Sequence, residues 1–258
     1  MNWDKIKIRC SSIGSLMSEP QSKAEKEAGE LSKTCKAKLI ETYIREKYGR
    51  EKEDLDTLQI KKGIDVEFES IEMLSLYKKK PYEKNEIRIE NDWVSGIPDL
   101  YYGESIYNAE EVDDVKSSYS IWSFLANVPN KLDSDYEWQL TGYQWLTKAK
   151  TGAINYILCD MPEHLMMEEK KRLLYKMNVI SEMSPEYLLA AEKLERALCY
   201  PDIPLEERVL IFPVQRDESK FELIKKRVEK AREFLYDFEK KHKSFNISSL
   251  QNILQTIK

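Results

Sequence analysis

The chain has 258 residues, a formal net charge of −5, 41% hydrophobic and 34% charged residues, and only eight glycines. That length allows one large or two small domains, and the composition fits a helix-rich globular protein rather than a β-sandwich or a disordered tail. No apolar run approaches the length of a membrane span, the opening MNWDKIKIRC lacks the apolar core of a signal peptide, and a cytoplasmic setting is expected.

In chain order, Ile6 and Ile8 precede a polar cluster, Arg9-Cys10-Ser11-Ser12, in which Ser11 or Ser12 suits a helix N-cap. The polar stretch 19–31 reads as a loop. Residues 32–48 carry Leu39, Ile40, Tyr43 and Ile44 at helical spacing, with Gly49 placed as a C-cap. A long helix is expected over 55–76. Within it Gly63 and Glu67 stand four apart on one face, with Glu69 the alternative acid if the register shifts. A glycine inside a helix costs roughly 1 kcal/mol against alanine, which a close approach to another backbone or to a ligand would explain. Lys61-Lys62, Lys78-Lys79-Lys80 and Lys148 with Lys150 are candidate basic patches, each expected to be a solvated helix end. Residues 87–89 and 93–95 alternate as strands. Gly96 and Pro98 make a bend, 101–104 a second turn, and 106–116 a returning strand. A short helix or loop is expected over 117–125, and a turn over 127–130. Then come a helix over 135–148, a central strand over 153–159, two helices over 163–178 and 184–199, a strand over 208–214, and a long charged helix over 217–241 with a frayed tail after about 244. No linker or repeat divides the chain. One domain over 1–258 is expected, with a core over about 32–160 and the segment 161–244 packed on it. Cys10, Cys35, Cys159 and Cys199 form no Cys-xx-Cys pair and read as reduced, packed thiols.

The bend and the strand after it carry the chemistry. Side chains alternate along a strand, so Val112, Asp114 and Lys116 share one face, and Glu111, Asp113 and Val115 the other. Asp99 sits on the bend, where a hairpin brings it beside Asp114. Two carboxylates suit hard Mg²⁺, which takes oxygen ligands and keeps several waters. Such an ion polarises a phosphodiester and activates a water, while a lysine offsets transition-state charge. Taken alone, the pattern also fits an exposed hairpin with ordinary surface charges.

Ser95-Gly96-Ile97-Pro98-Asp99 followed by Asp114-Val115-Lys116 resembles the core of the PD-(D/E)xK nucleases. Gln139-Leu140-Thr141-Gly142-Tyr143 resembles the Gln-xxx-Tyr helix of their RecB-like branch, and Gly63-Ile64-Asp65-Val66-Glu67 the Gly-xxx-Glu of the lambda-exonuclease/YqaJ-type viral recombinases. These blocks stand in the family's order, between about residues 5 and 146. The resemblance implies an α/β, restriction-endonuclease-like core, a central mixed sheet flanked by helices. It implies metal binding by Asp99, Asp114, the Val115 carbonyl and Glu67, with Mg²⁺ or Mn²⁺. It makes Lys116 the residue that orients the attacking water, and Gln139 a contact for a phosphate oxygen and that water. Tyr143 would stack or hydrogen-bond at the nucleic-acid backbone, or else serve core packing. Ser12, and a basic residue upstream of it, would contact phosphate. Lys5 stands where the family places an arginine, and Arg9 is nearer. The late cysteine cluster that some relatives use for an iron–sulfur centre is missing. The implied activity is exonucleolytic digestion of duplex DNA ends, 5′ to 3′, giving 3′ single strands for phage or prophage recombination in a bacterial host. A homotrimer and a single-strand annealing protein are the implied partners. The rival readings are a structure-selective or restriction-like endonuclease, and a catalytically silent DNA-binding protein on the same fold.

Overall fold

The computed structural model describes residues 1–53, 56–128 and 131–256, with side chains described through 244. The expected helix start at 55 and the turn positions 129–130 lie outside the described residues. In order the elements are β1 (Ile8–Arg9), α1 (Ile13–Met17), α2 (Lys23–Glu27), α3 (Lys33–Tyr48), α4 (Leu58–Asp65) and α5 (Glu67–Lys78). Next come β2 (Ile89–Glu90), β3 (Val94–Gly96), β4 (Leu100–Tyr102), β5 (Glu111–Ser117), α6 (Ile121–Leu125) and α7 (Ser134–Thr147). The chain continues with β6 (Thr151–Ile157), α8 (Glu163–Met177), α9 (Pro185–Leu198), β7 (Val209–Gln215) and α10 (Glu218–Thr256).

The architecture is mixed α/β. A four-stranded sheet runs β4-β5-β6-β7, and a small sheet runs β1-β3-β2. β5 and β6 are parallel, with Asp114 opposite Ile154, while β4 and β7 pair antiparallel at the two edges. A parallel pair needs a crossover, and α6 and α7 supply it. The alternation expected along β5 decides what covers each face. Val112 joins the cluster of Leu140, Tyr143, Ile154 and Val228, so this face lies under α7 and α10. Val115 packs instead with Ile71, Leu74, Leu100 and Val209, under α5.

Glycine sets how closely α7 sits. A Cβ on Gly142 would come within 2.5 Å of Ile13 Cδ1 and 2.9 Å of Cys10 Sγ, so the bare backbone is what lets α7 lie against the α1 end of the chain. The helix over 32–48 starts and stops as expected: Ser32 Oγ accepts from the Cys35 N–H at 2.9 Å, and Gly49 takes φ +60°.

Several local expectations change. The helix over 55–76 is two helices, broken at Val66 (φ −97°, ψ 8°), whose side chain is buried against the α5 cluster. The loop over 19–31 contains α2, capped by Ser22 Oγ. Tyr101 and Tyr102 belong to β4 rather than to a turn, and 106–108 form a 3₁₀ turn before β5 begins at Glu111. The expected single hairpin is therefore split. β3 joins the small sheet, and the strand antiparallel to β5 is β4. α10 continues to Thr256 where a frayed tail was expected. Two basic patches each have a member held inside the fold while their neighbours stay at the surface. Lys62 is 1% exposed and donates to the Tyr119 and Cys159 carbonyls at 2.9 and 2.7 Å, and Lys78 is paired with Glu111 and Asp113. All four cysteines are free. Among the described residues, no helix is long and apolar enough to cross a membrane.

Candidate active site

The bend between β3 and β4 delivers Asp99 to β5. Asn85 holds the bend from outside: its Nδ2 donates to the Pro98 carbonyl, and its N–H to the Asp99 carbonyl, each at 2.8 Å. The Asp99 carboxylate turns inward, and its Oδ2 accepts from the Val115 N–H at 2.9 Å. Asp114 is fully buried beside it. Asp114 Oδ1 accepts from Gln139 Nε2 at 2.9 Å, and Gln139 Nε2 also donates to the Tyr143 hydroxyl at 3.2 Å. Asp114 Oδ2 lies 2.6 Å from Lys116 Nζ as an ion pair, yet has no partner in good hydrogen-bond geometry. A carboxylate oxygen carries more than one lone pair, so pairing with one ammonium leaves this oxygen capacity for a further ligand.

Electrostatics point the same way. Burial, and then the charge of Asp114, push Asp99 up to about 7, against Lys116 and the Val115 N–H. Burial also raises Asp114, with Lys116 opposing. Burial pulls Lys116 down, but Asp114 and Asp99 more than offset it and hold the lysine above its ordinary value. Two desolvated carboxylates facing one ammonium carry more negative charge than one lysine neutralises. A small, hard cation relieves that imbalance, and the donor set therefore fits Mg²⁺ or Mn²⁺.

Asp99 and Lys116 open onto a cleft of about 550 Å³, with Asp114 buried behind them. Asp99, Val115 and Lys116 lie on its floor, with Gly63 and Glu67 on the helix side. Glu67 heads α5 and is held by Lys84 Nζ at 2.7 Å. Its charge contributes to the rise of Asp99. Among the described residues, no three His, Cys, Asp or Glu side chains come together as a ready cluster, so the third carboxylate stands off from the first two. Among the described residues, nothing beyond its own helix and chain neighbours lies within 4 Å of a Cβ built on Gly63. Among the described residues no other element's backbone approaches this glycine, which lines the cleft.

The other candidates divide. Gln139 is 9% exposed, and its amide hydrogens go to Asp114 and Tyr143. In this structure the amide orients a carboxylate. Tyr143 is 5% exposed, with its ring in the α7 core cluster, a placement that removes base stacking and leaves the hydroxyl to Gln139. Lys5 and Arg9 line one basic cavity with Arg45 and Arg88. Arg9 Nη2 there donates to Glu51 Oε1 at 2.6 Å. Ser12 is buried at the N-cap of α1, makes no side-chain cap bond, and lies outside that cavity's lining. Sequence reasoning missed Asn85, Lys84 and Tyr136. Tyr136 offers its ring to Lys116 Nζ at 4.9 Å, and its spacing of three from Gln139 was the available signal.

No protein-family model matches the sequence, and no curated protein matches it. Solved structures do. A phage-related exonuclease from Haemophilus somnus superposes with a TM-score of 0.67 at 24% identity, covering 92% of this chain and 97% of that one. An alkaline exonuclease from Laribacter hongkongensis superposes with a TM-score of 0.58 at 10% identity, covering 96% and 97%. The same enzyme in complex with dAMP also gives a TM-score of 0.58 at 10% identity, over 95% and 94%. At these identities the likeness establishes the fold.

Proposed function

We propose that this chain, which shares the fold of phage-related and alkaline exonucleases, is itself a metal-dependent deoxyribonuclease that digests duplex DNA from its ends. The observation that carries the reading is the Asp99–Asp114–Lys116 unit, in which Asp99 and Lys116 line an open cleft and the buried Asp114 pairs with Lys116 behind them. Asp99, Asp114, the Val115 carbonyl and Glu67 would hold Mg²⁺ or Mn²⁺. When bound, that ion supplies Lewis-acid polarisation of the phosphodiester and activation of a water.

The remaining work falls to the chain's own groups. Gln139 fixes the Asp114 carboxylate by donating to Oδ1, and Tyr143 fixes Gln139. The Val115 N–H fixes Asp99. Lys116 donates to the attacking water or to a phosphoryl oxygen and offsets charge developing in the transition state. Lys5 and Arg9 offer charge to a phosphate farther along the strand. Polarity from 5′ to 3′, a homotrimeric state and cooperation with an annealing protein in phage-type recombination complete the proposal by resemblance.

The test is digestion of a linear duplex labelled at its 5′ or its 3′ end, in Mg²⁺ or in EDTA, beside a supercoiled circle. Progressive, metal-dependent loss of the 5′ label with the circle intact is the expected result. Nicking of the circle would replace the exonuclease with an endonuclease. Absence of cleavage in both Mg²⁺ and Mn²⁺ would leave a DNA-binding protein.

A further inference from the structure

We propose that Tyr136 is a positioning residue for Lys116, its ring face holding the ammonium over the cleft floor, so that a single stripe on α7 grips both halves of the Asp114–Lys116 pair. The inference rests on the nuclease reading of that site.

Helix geometry places Tyr136, Gln139 and Tyr143 along one side of α7, at steps of three and four. Two of them touch the same pair, and the third braces one of the two. Gln139 holds Asp114 Oδ1, Tyr143 holds Gln139, and the Tyr136 ring lies 4.9 Å from Lys116 Nζ. That distance is inside the range where a ring face attracts a cation. The ring is itself braced. Tyr136 meets Tyr156 edge to face at 6.3 Å, and Tyr156 meets Phe212 the same way at 5.6 Å. The brace therefore runs from α7 through β6 to β7. Tyr136 and Tyr156 also line the cleft beside Lys116, so the ring acts at the cleft wall and not deep in the core.

The need for such a contact follows from Lys116 itself. A lysine side chain is long and freely rotating, and its ammonium is a point charge with no preferred plane. The pair with Asp114 Oδ2 fixes it in this structure. Asp114 is also one of the carboxylates that would hold a divalent cation. An aromatic face competes for no ligand position, so it keeps the ammonium in place when Asp114 turns to another partner.

Two variants and two readouts decide the matter. Tyr136→Phe keeps the ring, and Tyr136→Leu removes it. Tyr136→Met serves as a second ring-less variant should Leu not fold. On the linear duplex, Tyr136→Phe is expected to keep kcat within about twofold, and Tyr136→Leu to lower it by about tenfold with KM little changed. The second readout needs neither metal nor substrate: the rate at which an acylating reagent modifies Lys116, followed by peptide mass spectrometry in EDTA. Lys116 is 25% exposed, so labelling is slow but measurable. It should quicken several-fold in Tyr136→Leu and stay at the wild-type rate in Tyr136→Phe. Wild-type labelling in Tyr136→Leu would overturn the proposal, as would a Tyr136→Phe variant as impaired as Tyr136→Leu. A wild-type protein that cuts no DNA would remove the nuclease reading alone, because the labelling rates still decide what holds Lys116.

Discussion

The two faces of β5 carry the same residue types and come to opposite ends. Toward α5, Asp113 Oδ1 accepts from the Ala153 N–H at 2.8 Å, and its other oxygen takes Lys78. Glu111 accepts from Lys78 at 2.7 Å and from the Tyr82 hydroxyl at 3.2 Å, and pairs with Lys80 as well. Toward α7, a single ammonium, that of Lys116, pairs with Asp114 and also faces the charge of Asp99. Acids and lysines on a strand thus say little by themselves. A saturated set is a structural clasp. An undersaturated set beside an open cleft has capacity left for a ligand.

Exchanging the two neighbouring aspartates for asparagine gives the largest contrast. Asp114→Asn should lower turnover on the order of 10³-fold while the urea unfolding midpoint stays near wild type. Asp113→Asn should do the reverse. It weakens a buried ion pair at a cost of about 3 kcal/mol, read from the same unfolding curves, with turnover of the folded fraction near wild type. A protein that loses activity equally through both would erase the distinction between the faces.

Gln139→Leu makes a smaller change on the cleft side. Gln139 touches the reaction through Asp114, and groups that orient a ligand carboxylate typically matter by about 10–100-fold. The expected signature is a drop of that size, accompanied by a higher metal concentration for half-maximal activity. An unchanged metal requirement would mean that Asp114 does not depend on this amide.

On the clasp side, acid should expose the difference. Burial favours the neutral form of Glu111, but Lys78 and Lys80 outweigh it and hold the carboxyl down at about 2, below the ~4.3 of a free glutamate. A depressed carboxylate contributes stability that is complete above its unfolded pKa and is lost as the pH falls toward the folded one. The window therefore runs from about 4.3 down to about 2. Asp113, raised by burial against the pull of Lys78, acts with the opposite sign and softens the loss. Glu111→Gln should flatten the acid limb of a plot of unfolding midpoint against pH. A limb parallel to the wild type would show that the clasp contributes no linkage.

The legible part of this protein was what depends on neighbours in sequence. Strand alternation placed Asp114 and Lys116 together, and helical spacing placed Gln139 and Tyr143 together. Ser32 and Gly49 bounded α3 through turn chemistry of their own. What misled was set by distant partners. Lys62 looks like a solvated helix end until Tyr119 and Cys159 bring carbonyls to it from 57 and 97 positions away. The lysines at 78 and 80 look like a patch for nucleic acid until Glu111 closes on them. Gln139 and Tyr143 meet as helical spacing predicts, and burial adds a partner that spacing does not show, the Asp114 carboxylate. Val66 interrupts a run that helical periodicity alone would carry through, because its side chain is drawn into the cluster under the sheet.

Two helical glycines give the smallest and most local form of the comparison. Gly142 is bare because protein fills the space, with Ile13 and Cys10 against it. Gly63 is bare although, among the described residues, no other element fills the space. Adding a methyl at Gly63 should therefore raise helix stability, by about 0.5–1 kcal/mol, while the same change at Gly142 forces α7 outward and lowers stability. Activity then tells what uses the gap. If a substrate strand passes along α4 into the cleft, Gly63→Ala will be more stable than wild type and yet show a higher KM on the linear duplex. An unchanged KM in the stabilised variant would move the strand to the opposite wall, beside Tyr136 and Tyr156.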